Sequence, residues 1–281
     1  MWSAVRLAAG TCRCFEFGPL RICVRRTRGT WQFARSYASE SDKVPGGDEC
    51  PDDLEWTAFV PRSNDEQVYF QPASPDRPVV VNTEYTFQVA PGAGYTLYTG
   101  IPLWVRGWLG APGGQLLFDF PTTLLSNTWF GGAMTGRLCY KSPNIFAGDS
   151  ESIPDGQGSA LCPLHVRNSS DHSFTFNKIA VLADLLRVYR STDTGKPAPA
   201  RRPWQRSRNT AEPIVRVTPG QLWTSEAYAH YSGEQELNVS VADHPPSGEH
   251  AFETLCEPRE PDVDSIFKRS IILLRRISNY E

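Results

Sequence analysis

Long apolar runs are missing from this 281-residue chain. Runs such as IAVLA at 179–183 and IILL at 271–274 fall well short of the ~20 residues that a membrane-crossing helix needs, so no membrane-spanning segment is expected. The opening MWSAVRLAAG is interrupted by Arg6 and lacks the apolar stretch of a secretory signal, which makes a cytoplasmic location the expectation. A charge excess of either sign is also missing. With 28 basic and 31 acidic residues the net charge is −3, which excludes a global field that would draw the whole chain onto nucleic acid or an anionic membrane. Nucleic acid is therefore not an expected partner. Hydrophobic residues at 40% and charged residues at 21% are ordinary globular usage, and they exclude a wholly disordered chain.

Motifs that carry their own chemistry are absent as well. The chain has no phosphate-cradling G-x-x-x-x-G-K, no H-E-x-x-H, no G-x-S-x-G and no dinucleotide G-x-G-x-x-G after a strand. Its five histidines, His165, His172, His230, His244 and His250, have no close ligand spacing. The seven cysteines contain no C-x-x-C pair, and they read as reduced thiols packed like small hydrophobes. Cys12 and Cys14 would share one face of a strand and could hold a metal or respond to oxidants, but a third ligand is not visible in sequence. No metal, cofactor or catalytic residue is expected. A carboxylate pair of the glycosidase type, such as Asp119 with a distant Glu, would meet only in three dimensions.

What the chain does have is punctuation. Its 22 glycines and 23 prolines recur throughout, which leaves little room for long helices and favours short strands. CRCFEF, LRICVRR and WQFARSY alternate apolar and polar residues around Gly18-Pro19 and TRGT, and they predict a three-strand meander with Leu20, Ile22 and Val24 on its buried face. Further strands are read in QVYFQP, RPVVV, YTFQV, YTLYTGIPLWV, QLLFDF and GRLCY. LCPLHVRN and SFTFNKIAVL read as a hairpin, as do QLWTSEAYAHY and ELNVSVA, whereas LADLLRVYR fits helix and strand alike. The polar stretch 147–160 divides the chain into expected lobes at 1–148 and 160–281. Residues 193–213, rich in proline and without periodicity, are expected to be a surface insertion. Val263, Phe267, Ile271, Leu274 and Ile277 sit at helical spacing, with acidic residues before them and Arg275 and Arg276 near the end, predicting a short C-terminal helix. The expected fold is all-β, an antiparallel sandwich-like protein of two β-rich lobes closed by that helix.

Two stretches stand out as candidate sites. Arg201, Arg202, Trp204, Arg206 and Arg208 combine phosphate-binding charge with a stacking surface, yet they sit in a segment that reads first as a solvated basic loop. In LLSNTWFGGAMTGRLCY, the strand-like Ser126–Phe130 would put Trp129 and Phe130 on opposite faces, so only one of them joins a given core. Asn127 and Thr128 can bond nearby backbone, and Gly131 and Gly132 can turn the chain, which makes an aromatic-stapled corner. Trp104, Trp108, Asn127, Trp129 and Phe130 are the candidate ligand or partner residues.

RPVVV at 77–81, IPLWVR at 101–106, LSNTWFG at 125–131 and GRLCY at 136–140, in this order, resemble an archaeal and bacterial family catalogued as domain of unknown function four hundred and thirty-two. The early GPL…VRR hairpin and LWTSE at 222–226 are similar too. The resemblance implies no activity, catalytic residue or cofactor; its one functional implication is a protein partner, a membrane channel. The expected function is a non-catalytic interaction or accessory module. The alternative is a hydrolase or carbohydrate-active enzyme on a sandwich scaffold, with a cleft beside Trp104, Trp108, Trp129 and Phe130. An enzyme requires ionisable groups converging beside those aromatics, whereas a module requires an exposed apolar patch or an open sheet edge.

Overall fold

The computed structural model describes residues 2–38, 50–51, 53–153, 158–192, 198–199, 214–215, 218–233, 237–246 and 251–259. The expected C-terminal helix and the basic residues Arg201, Arg202, Trp204, Arg206 and Arg208 lie outside them. In chain order the strands are β1 (Ala4–Arg6), β2 (Cys12–Phe17), β3 (Leu20–Thr27), β4 (Thr30–Tyr37), β5 (Thr57–Phe59), β6 (Gln67–Ala73) and β7 (Val79–Val89). They continue as β8 (Gly94–Pro102), β9 (Trp104–Leu109), β10 (Gln115–Pro121), β11 (Ser126–Phe130), β12 (Arg137–Phe146), β13 (Ser159–Asn168) and β14 (Phe174–Val181). The last are β15 (Val188–Ser191), β16 (Ala198–Pro199), β17 (Ile214–Val215), β18 (Leu222–Thr224), β19 (Ala227–Tyr231), β20 (Asn238–Val241) and β21 (Phe252–Cys256). A single 3-10 turn, Ala183–Leu185, is the only helical element among the described residues. The ambiguous LADLLRVYR divides into that turn and β15.

The predicted meander is present as a β2-β3-β4-β5 sheet. Gly18-Pro19 makes a two-residue turn that pairs Phe17 with Leu20, and Gly18 supplies the positive φ of 62° at its first position. Leu20, Ile22 and Val24 face inward as the alternation required. They pack with Phe17, Trp31 and Phe33 against Val68, Phe70, Val105, Leu109 and Phe118 of a second sheet, β1-β6-β9-β10. Gly107 is what lets Phe118 approach β9 closely, since a Cβ there would stand 2.3 Å from Phe118 Cζ.

A second sandwich packs the β11-β12-β7-β14 sheet on a seven-stranded sheet ordered β20-β19-β13-β18-β15-β21, with β8 also paired to β13. Val79, Val81, Ile179 and Val181 on one side meet Leu97, Ile101, Leu164, Val166 and Ala229 on the other. β13 and β14 are therefore not the expected hairpin. Their apolar faces oppose each other across this core, because both strands bury more surface face to face than a two-stranded ribbon could. The β19–β20 hairpin is as expected. Most pairings are antiparallel, but β7–β12, β13–β18 and β13–β19 are parallel. Residues 1–148 and 160–281 contribute to common sheets, through β8 beside β13 and β7 beside β14. A third cluster, including Ala73, Leu103, Trp104, Ala160, Val188, Leu222 and Cys256, joins the two sandwiches.

Cysteine usage corrects the reading of uniformly reduced thiols. Cys139, Cys162 and Cys256 are buried free thiols, but Cys12 is bonded to Cys50 and Cys14 to Cys23. Cys14 and Cys23 stand directly opposite in adjacent strands, which the spacing of the cysteines by itself does not display.

Candidate functional site

The stretch LSNTWFGG forms an edge. Among the described residues β11 pairs only with β12, and seven residues after Phe130 the chain returns with Arg137 opposite it. The corner between them is stapled: Trp129 Nε1 donates to the Gly132 carbonyl at 3.0 Å, and Gly136 N donates to the same carbonyl at 2.7 Å. Gly131 adopts φ of +105°, in the region that favours glycine. Phe130 packs towards Val80, Cys139 and Ala180, while Trp129 turns to the other face and stays 41% exposed. Leu124 at 72% and Met134 at 95% are exposed before and within the same hairpin. Asn127 does not bond local backbone; its Oδ1 accepts from Arg77 Nη1 at 2.9 Å, fifty residues away in sequence.

Trp104 and Trp108 lie on β9, in the other sandwich from Trp129 and Phe130. Trp104 is buried against Tyr140 with ring centres 5.5 Å apart, and Trp108 Nε1 donates to Gln71 Oε1 at 2.8 Å. The five candidate residues thus lie on two different sheets. What connects two of them is Tyr140, which touches Trp104, sits opposite Asn127 in register, and lies under the Arg77 guanidinium at 5.0 Å.

Ionisable groups do gather beside Trp104, but they neutralise one another. Asp119 accepts from Arg259 through both oxygens and from Arg106 Nε at 3.2 Å, and Arg259 also lies 5.8 Å from the Trp104 ring centre. Asp76 Oδ1 accepts from the Tyr140 hydroxyl at 2.8 Å. Asp184, on the 3-10 turn, has its pKa raised by burial, offset by Arg137 and reinforced by Asp76. A second cluster is closed off: His165 and Glu226 approach to 3.5 Å at 5% and 4% side-chain exposure, with Thr96 Oγ1 3.0 Å from His165 Nδ1 and the Tyr228 hydroxyl donating to Glu226. Burial pushes the Tyr228 hydroxyl far up, helped by the Glu226 charge. Burial likewise pushes Cys139 up to about 11 and Cys162 up to about 12, so these thiols stay protonated and poorly nucleophilic near neutrality.

Sequence reasoning missed Arg259, the His165–Glu226 pair and the partners of Cys12 and Cys14. The last had a signal. Once Gly18-Pro19 is taken as a two-residue turn, counting back from the Phe17–Leu20 pair puts Cys14 opposite Cys23.

Sheets, cores and an open apolar hairpin define an all-β protein of two face-packed sandwiches. The chain belongs to the family of proteins of unknown function designated DUF432, which it matches over residues 1–213. No curated protein and no solved structure matches it. No helix among the described residues is long and apolar enough to cross a membrane.

Proposed function

We propose that this protein is a non-catalytic accessory module that binds another protein along β11. The observation that carries this reading is the hairpin itself. Among the described residues β11 ends its sheet with no strand on its outer side, and Leu124, Trp129 and Met134 are exposed beside it. An extended partner segment added to that edge gains main-chain hydrogen bonds, and the exposed indole and thioether supply apolar contact that discriminates among segments. The carboxylates and arginines near Trp104 support this reading indirectly, because groups held in mutual ion pairs are poorly placed to act as a free acid and base. The partner we propose is a membrane channel, the one the resemblance implies, with the module acting on its cytoplasmic side.

A photo-crosslinking amino acid at Met134 tests the proposal in cells that express the protein. The expected result is a discrete crosslinked adduct that disappears when Trp129→Asp is added and the fold, read by circular dichroism, is retained. An adduct pattern unchanged by Trp129→Asp overturns it.

A further inference from the structure

Four sulfurs meet on the outer face of the β2-β3-β4-β5 sheet. Cys12 and Cys14 alternate onto one face of β2, and Cys23 stands opposite Cys14 with a Cα–Cα distance of 4.0 Å. Cys50 returns to the same place with its Cα 6.2 Å from that of Cys12. The sulfurs of Cys14, Cys23 and Cys50 all lie within 4.8 Å of one another, and the fourth, from Cys12, is bonded to Cys50. The Cys14 and Cys50 sulfurs, which are not bonded to each other, are 3.7 Å apart. Four thiolates bound tetrahedrally to zinc at about 2.3 Å stand about 3.8 Å from each other, so this pair already has the spacing of a tetrahedral edge.

The surroundings suit the charged form. Arg21 and Arg25 flank Cys23 on the same face of β3, opposite Glu16 and Cys12 respectively, and Arg25 rests on the Trp56 ring at 4.0 Å. Two guanidinium groups favour thiolate over thiol and offset the net negative charge of a tetrathiolate. Cys12, Cys14 and Cys50 are each partly exposed, so a reductant and a cation both have access, while Cys23 is fully buried.

We propose that in the reduced protein Cys12, Cys14, Cys23 and Cys50 bind one zinc-type divalent cation as a tetrathiolate, and that the two disulfides are the oxidised form of the same site. Opening both bonds takes four electrons and four protons. Two equivalents of a dithiol reductant supply them, each being oxidised to its own disulfide. The cation then displaces the four thiol protons. The site joins the loop bearing Cys50 to the β2–β3 hairpin in both states, so reduction exchanges one cross-link for another.

The test is a titration of the full-length protein, reduced with a dithiol and then freed of it without air, using cobalt(II) as an optical probe and zinc as competitor. The expected result is one cobalt per chain with the intense charge-transfer and d–d bands of a tetrahedral tetrathiolate, bleached by one equivalent of zinc. The Cys14→Ser/Cys50→Ser variant should lose the bands or bind at least tenfold more weakly, whereas Cys139→Ala should retain them. A reduced wild-type protein that takes up no cobalt overturns the proposal, and so does a band that survives unchanged in the double variant. The wild-type titration stays decisive even where the double variant fails to fold.

Discussion

Arg259 grips both carboxylate oxygens of Asp119, 140 residues earlier in the chain, with Nη1–Oδ2 at 2.6 Å and Nη2–Oδ1 at 3.0 Å. The same arginine donates through Nε to the Ser74 carbonyl at 2.6 Å, and through its backbone N–H to the Asp184 carbonyl at 3.3 Å. One residue therefore ties the segment after β21 to β10 and the end of β6 through its side chain, and to the 3-10 turn through its main chain. Arg259→Met should cost about 2–3 kcal/mol in urea unfolding, the scale of hydrogen bonds to a charged group. Arg259→Lys should recover little of that loss, because an ammonium cannot reproduce the paired geometry.

Trp129→Ala should cost only about 1 kcal/mol, the scale of its single hydrogen bond to Gly132. A tryptophan filling a core would cost about 3–5 kcal/mol. Chemical denaturation of the variant distinguishes the two magnitudes, and a loss near the larger one would show that the indole is structural.

Gly131→Ala should strain the hairpin locally. Its φ is +105°, and a Cβ would stand 2.8 Å from the Gly136 Cα, a backbone atom that cannot move aside alone. Amide exchange over 126–140 should accelerate while the two cores keep their protection. Gly92→Ala is the control: its φ is +70°, but nothing lies within 4 Å of its Cβ, so only the backbone penalty of about 1 kcal/mol applies.

Gly107→Ala should damage the first sandwich more than either, since the new methyl group would stand 2.3–2.6 Å from three atoms of the buried Phe118 ring. Pairing it with Phe118→Leu should restore part of the stability, and a double-mutant cycle measures that coupling.

Asp184 gives a pH dependence of definite sign. Burial raises its folded-state pKa above the unfolded 3.8, so the protonated form is the one that folding favours. Its contribution is fully present below the unfolded value and is lost as pH rises through the raised one. Asp184→Asn removes this dependence. The variant should therefore melt higher than the wild type at neutral pH, and the difference should shrink towards zero as both are acidified to the unfolded value.

Much of the fold was legible because strand alternation and turn chemistry are local. Leu20, Ile22 and Val24 announce a buried face by their spacing, and Gly18-Pro19 announces the turn that pairs them. The stapled corner was legible for the same reason: Gly131 and Trp129 act on residues within seven positions of themselves. The site was less legible. Asn127 reaches Arg77, and Trp104 reaches Tyr140 and Arg259, across separations for which alternation carries no information.

Local pattern was enough to make this a chain of short strands, since glycine and proline at this density break helices and the period of two sets which side chains turn inward. It also determined the register of the first hairpin, because a two-residue turn leaves one pairing open to the strands that flank it. Long-range packing set β13 and β14 against each other across a core, brought Arg259 to Asp119, and added Cys50 to the group begun by Cys12, Cys14 and Cys23. Each of these is a meeting of residues far apart in the chain, and its partner is selected by the packing of whole sheets.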